Sequence, residues 1–190
     1  MARDEAAHGS LMNLETVLGT LRPSRGLAEK KGNFVRQSWD RLAKVPGGSY
    51  LFSKLVGRAA PYSATIDAHI VELHDNFAKV VMHDKPGLRN HIRCVHAVAL
   101  ANLAELTGNI AVAYTLPDDA RFIVAGMSLE YLKKARGTLT AESRPGIPRS
   151  AEKREYDVVV EIRDARGELC TRATLKTLVG PKKSANGADA

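Results

Sequence analysis

Apolar residues recur at helical spacing from about Asn13 to Ala60, through Leu14, Leu18, Leu21, Leu27, Phe34, Val35 and Leu42. Pro46-Gly47-Gly48 interrupts the pattern, and Tyr50, Leu51, Phe52, Leu55 and Val56 resume it as a short amphipathic helix. After the boundary at Pro61 the period changes to two. Ile66, Ala68 and Ile70 alternate with Thr65, Asp67 and His69, which predicts a half-buried strand. Asp75-Asn76 reads as a turn, and Ala78, Val80 and Met82 begin a second strand that ends at Asp84-Lys85-Pro86-Gly87. An apolar helix follows from about Val95 to Ala113, closed by Pro117-Asp118-Asp119. Alternation then returns in Ile123 to Tyr131, Thr138 to Glu142, Tyr156 to Ile162 and Leu169 to Thr177. The last two strands are joined by the hairpin turn Asp164-Ala165-Arg166-Gly167, and from Gly180 the chain reads as a polar tail.

The predicted order is two strands, one long apolar helix and four strands. Short turns between the late strands imply an antiparallel sheet. A helix apolar on nearly every side must be covered, so the expected architecture is α+β, with the sheet curled round a central helix. The domain plan that follows is a helical extension over 1–60, the sheet-and-helix domain over 61–180 and a disordered tail over 181–190. The extension is too amphipathic to be a free tail, and it is expected to dock on the domain.

That central helix carries one carboxylate. Val95, Val98, Leu100, Leu103 and Leu106 spread over its faces, with Glu105 among them. A buried carboxylate needs a partner or a proton, which makes Glu105 a candidate acid–base or nucleophilic group. It also stands in a polar stripe with Asn102 and Asn109, whose spacing fits a solvated helix face. Both readings stay open at this level.

Composition adds limits. With aromatics at 5% of 190 residues, Val, Ile, Leu and Ala must fill the core. No apolar run in the sequence approaches the roughly 20 residues of a membrane span, and the N-terminus lacks a signal-peptide stretch. Two cysteines, Cys94 and Cys170, are too few for a disulfide scaffold, so the expected location is cytoplasmic. His69, His74 and His83 have no metal-ligand spacing, and no metal is expected. The net charge of +7 points to an anionic partner. The basic residues are scattered except at Lys133-Lys134-Ala135-Arg136 and Lys182-Lys183, which fits a small polyanion better than nucleic acid.

Several separated segments share one resemblance. Asn90-His91, Val95-His96-Ala97 and Leu103-Ala104-Glu105, in that order, resemble the loop and helix of hotdog-fold acyl-CoA thioesterases of the phenylacetyl-CoA thioesterase type. The interval of nine positions from His96 to Glu105 is that family's His-to-acid interval. Tyr131-Leu132-Lys133-Lys134-Ala135-Arg136-Gly137 resembles the segment after its long strand. The Pro61-Tyr62-Ser63 entry and the N-terminal helices are closer to a thioesterase-like branch. The likeness spans roughly Pro61 to Val179. Three positions depart from it: the family's glycines are replaced by Ala97, Val98 and Arg93.

The resemblance implies a hotdog fold and hydrolysis of an acyl-CoA thioester at a dimer interface. The Ala97 N–H would polarise the thioester carbonyl, and Glu105 of a second copy would attack or act as base. Asn90 would orient water beside His96. Lys133, Lys134 and Arg136 would meet the phosphates of coenzyme A, which enters as part of the substrate, with no separate cofactor. The expected assembly is a homodimer, or a tetramer built from it. The altered glycine positions also fit a non-catalytic acyl or lipid binder, and a third reading is a regulatory dimer whose N-terminal helices dock a partner.

Overall fold

The computed structural model describes residues 33–182. Helices α1 (Phe34–Leu42) and α2 (Gly48–Ala59) lead into a 3-10 turn at Ser63–Ile66. Then come β1 (His69–His74), β2 (Phe77–Met82), the central helix α3 (Ala97–Thr115), β3 (Ala120–Tyr131), β4 (Leu139–Ser143), β5 (Arg154–Arg163) and β6 (Leu169–Pro181). The six strands form one antiparallel sheet in the order β1-β2-β4-β5-β6-β3, curled round α3 as expected of a hotdog fold.

Alternation decides which sheet face meets the helix. Val158, Val160 and Ile162 on β5 and Ala173, Leu175 and Val179 on β6 are buried, together with Val80, Met82, Leu139 and Ala141. The intervening residues form an outer charged face, where Glu161 pairs with Arg163 and Arg172, and Lys176 with Glu155 and Asp157. Helix and sheet approach closely at Gly108. A Cβ there would stand 3.3 Å from both Leu175 Cδ atoms and from Val158 Cγ1, so glycine lets the helix sit this deep without shifting those side chains.

Three expectations shift. Ile66 is buried, but it belongs to the 3-10 turn rather than to a strand, and β1 starts at His69. The cause is Asp67, which takes a left-handed φ of 47° while its carboxylate binds Lys54 and Lys85. Those two ammonium groups, Lys85 first, pull the Asp67 carboxyl down to about 2. β6 runs on to Pro181, past the expected start of the tail, because Gly180 and Pro181 still pair with Arg121 and Ala120. Finally, α3 is by length and composition apolar enough to cross a membrane, although most of it is buried inside this fold. The sequence expectation of no such run did not allow for Asn102, Glu105, Thr107 and Asn109 being accommodated within it. Here the helix serves as the core.

The N-terminal helices share that core. Phe52 is fully buried and stacks edge-on with Trp39 at 5.1 Å. Asn33 caps α1 by accepting from Arg36 N–H at 2.9 Å. Its amide also donates to the Ala113 and Leu116 carbonyls at 2.6 and 2.9 Å, and Arg36 donates to those of Tyr114 and Leu116. The orphan carbonyls at the end of α3 are thus satisfied by the segment that enters α1. Asn33→Ala removes one cap and unpairs the part-buried Ala113 carbonyl, and is expected to cost about 1–3 kcal/mol. A lowered urea midpoint with an unchanged slope would bear this out, and an unchanged midpoint would show that water replaces Asn33. The expected helical pattern over Leu14 to Leu27 lies outside the described residues.

Candidate active site

The site is built where the loop after β2 enters α3. Asn90 organises that loop. Its Oδ1 accepts from the Ile92 and Cys94 N–H groups at 3.1 and 3.3 Å, and its Nδ2 donates to Cys94 Sγ at 3.3 Å. The turn this closes puts Arg93 at φ 56°, in the left-handed region where the family pattern has glycine. Arg136 clasps the turn by donating to the Arg93 and Ile92 carbonyls at 3.3 and 3.4 Å. Further back, Arg89 and the Gly137 N–H bind Asp84 and hold its carboxyl below the usual range. The backbone bonds Val95 N–H to Ala135 and His96 N–H to Leu88 complete the junction.

His96 is the N-cap of α3. Its Nδ1 accepts from the Val98 N–H at 3.1 Å, which caps the first turn of the helix. Ala97 is the first helical residue. Its N–H belongs to the open first turn, at the positive end of the helix dipole.

A cavity of about 390 Å³ opens here. Asn90, Cys94, Ala97, Tyr131, Lys133 and Lys134 are among the residues that line it. It therefore gathers four of the seven residues singled out from sequence. His96 lies beside it as the cap, and Arg136 behind it as the clasp. The two lysines differ. Lys133 is committed to Asp164 and Glu168, and its ammonium draws the Asp164 carboxyl down. Lys134, Arg136 and Arg93 form no ion pair among the described residues, although the Arg136 charge helps to lower the Asp84 carboxyl. From sequence, Tyr131 is only the end of a long alternating run and the first residue of the Tyr131–Gly137 resemblance, without a role; its hydroxyl donates to the Ala97 carbonyl at 3.3 Å.

Glu105 is not in this cavity. It lies about 12 Å further along the same helix, at 1.5 Å per residue. Nor is it deeply buried. Val98, Ala101, Glu105 and Asn109 form one stripe that the sheet leaves uncovered, with Val98 53% exposed. The expectation of a helix buried on every side thus fails for this stripe, because the curled sheet covers only the opposite faces. The neighbouring β3 is an edge strand, paired only with β6, and it presents Ile123, Met127 and Tyr131 to solvent. Within one chain, the Ala97 N–H and Glu105 cannot act on the same carbonyl.

Residues 48–179 match the family described as a domain of unknown function, DUF4442. The chain belongs to the DUF4442 family. The match begins at Gly48, the first residue of α2, so the family's shared region includes α2 as well as the sheet and central helix. Among solved structures, the crystal structure called genomics APC5556 is 31% identical, with a TM-score of 0.69, covering 78% of this chain and 99% of its own. PA5026 of Pseudomonas aeruginosa, named a probable thioesterase, is 22% identical at a TM-score of 0.64, covering 72% of this chain and 97% of its own. Thioesterase HI1161 of Haemophilus influenzae is 16% identical at 0.61, covering 73% and 94%. These likenesses establish the hotdog fold of thioesterase-family proteins for this DUF4442 chain. Among curated proteins none matches it.

Proposed function

We propose that the protein is a thioesterase that hydrolyses an acyl-CoA thioester at sites shared between two copies of the chain in a cytoplasmic homodimer. One observation carries this reading. The cavity ends at the open first turn of the central helix, while the only carboxylate on that helix lies about 12 Å away on an uncovered stripe. An antiparallel pairing of two copies would bring the partner's Glu105 to the cavity from the other side.

The chemistry then runs in order. Glu105 of the second copy takes a proton from water as the water attacks the thioester carbonyl. The oxyanion is held by the Ala97 N–H, a donor of the kind worth about 3–4 kcal/mol in a barrier. Collapse breaks the C–S bond, and the thiolate leaves with the proton from Glu105. The products are a carboxylic acid and free coenzyme A. Asn90 keeps one amide hydrogen for the water, since its oxygen is already spoken for by the loop. Lys134, Arg136 and Lys133 would meet the phosphates, Lys133 only by exchanging its carboxylate partners. His96 fixes the first turn rather than moving a proton.

A panel of acyl-CoA thioesters, assayed by release of free thiol, tests the reading. Turnover of at least one is expected. A well-folded protein that binds acyl-CoA without releasing thiol would instead favour the non-catalytic acyl binder, for which the side chains of Val98 and Arg93 at glycine positions speak. A copurified lipid found by mass spectrometry would support the same alternative.

A further inference from the structure

A second cavity lies against the central helix, and no step above uses it. It occupies about 350 Å³ between α2, the 3-10 turn and β1, and it reaches the central helix at Leu106. Most of its lining surface is apolar, from Leu51, Val56, Ala68, Ile70 and Leu106, while Lys54, Arg58 and Asp67 stand among the polar residues of its wall. Small residues keep it open. Gly57, in the middle of α2, costs helix stability relative to alanine, and a Cβ there would come within 3.1 Å of Ala64 Cβ. Val56 also lines a neighbouring cavity of about 270 Å³ that includes Phe52, Ile110 and Ala113, so its side chain is common to two hollows along α3.

We infer that this cavity holds the tail of an aliphatic acyl group, and that α2 sets the acyl length the protein accepts. The inference rests on the thioesterase reading for its direction: the carbonyl sits at the Ala97 N–H of one copy and beside Glu105 of the other. Leu106 stands roughly a quarter-turn round α3 from Glu105, on the face that lines the cavity, so a tail passing round the helix from the carboxylate enters the cavity of the same copy. Head and tail of one substrate are then held by different chains. The size and apolar lining are those of an ordinary small-molecule pocket, and an alkyl chain is the ligand that needs no polar partner inside it.

Two substitutions in the full-length protein test this in opposite directions. Ala68→Leu takes up the space of about three methylenes, each worth roughly fourfold in affinity. The ratio of kcat/KM for decanoyl-CoA to that for acetyl-CoA is expected to fall at least tenfold. Val56→Ala joins the two hollows, and the ratio of dodecanoyl-CoA to hexanoyl-CoA should rise. Loss of folding cannot produce opposite shifts. In parallel, displacement of a fluorescent fatty acid by decanoate measures the cavity without catalysis, and Ala68→Leu should weaken decanoate binding at least tenfold. Decanoate binding that is lost in Ala68→Leu, with no hydrolysis of any acyl-CoA, would keep the acyl cavity and remove the thioesterase reading. Hydrolysis with the same chain-length ratios in all three proteins would do the reverse, and absence of decanoate binding in the wild type would also overturn the inference.

Discussion

Glu105→Gln should reduce hydrolysis of the best acyl-CoA substrate by at least the roughly 10²–10⁴ factor that positioned acid–base groups supply. The substitution keeps the length and hydrogen-bonding capacity of the side chain and removes only the charge. Its effect on folding should be small, within about 0.5 kcal/mol, since Glu105 is part-exposed and the two residues have similar helix propensity. Among the described residues it makes no hydrogen bond or ion pair that the change would break. The loss should therefore appear in kcat, with KM and the melting temperature little altered. Undiminished hydrolysis by a folded Gln variant would leave Glu105 as a part-exposed residue of the stripe with Asn109, from which Asn102 drops out because it is buried and donates to the Tyr62 carbonyl. The hotdog fold would stand regardless, because it rests on the strands around α3.

The difference between what was legible in the sequence and what was not has a physical pattern. The β5–β6 hairpin was legible because alternation and the Asp164–Gly167 turn are local signals, and Gly167 takes the positive φ of 80° that such a turn needs. The central helix was legible for the same reason, and so was the loop-to-helix motif. The strand expected from Ile66 was displaced by Asp67, whose backbone follows two lysines that are distant in sequence. Asn33 and Arg36 were invisible as caps of α3, because the carbonyls they satisfy lie about eighty residues on. Lys133 looked as free as Lys134 until the hairpin turn brought Asp164 and Glu168 to it. The exposure of Glu105 could not be read from helix periodicity at all. A helix apolar all round says that it must be covered, but not whether its own chain or a second one does the covering.

A mixing experiment addresses that question directly. Ala97→Pro deletes the candidate oxyanion donor with little cost to the fold. Proline is favoured at the first helical position, where the N–H has no intrahelical acceptor. His96 already has the extended backbone that a following proline requires, at φ −63° and ψ 139°. Alone, this variant should lose about 10²–10³ in kcat, and Glu105→Gln should be comparably impaired. If each site takes Ala97 from one copy and Glu105 from the other, a mixed dimer of the two variants regains one intact site and concentrates both defects in the other. Half the dimers formed on random reassortment are mixed, so activity should return to roughly one quarter of the wild-type level, as a two-fold symmetric pair demands. Carrying Ile123→Lys and Met127→Lys on both chains places like charges along the free edge of β3, which should block pairing and the recovery together. Two inactive variants that stay inactive when mixed, although sedimentation shows them reassorted, would mean that each chain carries its whole site, and the separation of Ala97 from Glu105 along α3 would then exclude their acting together.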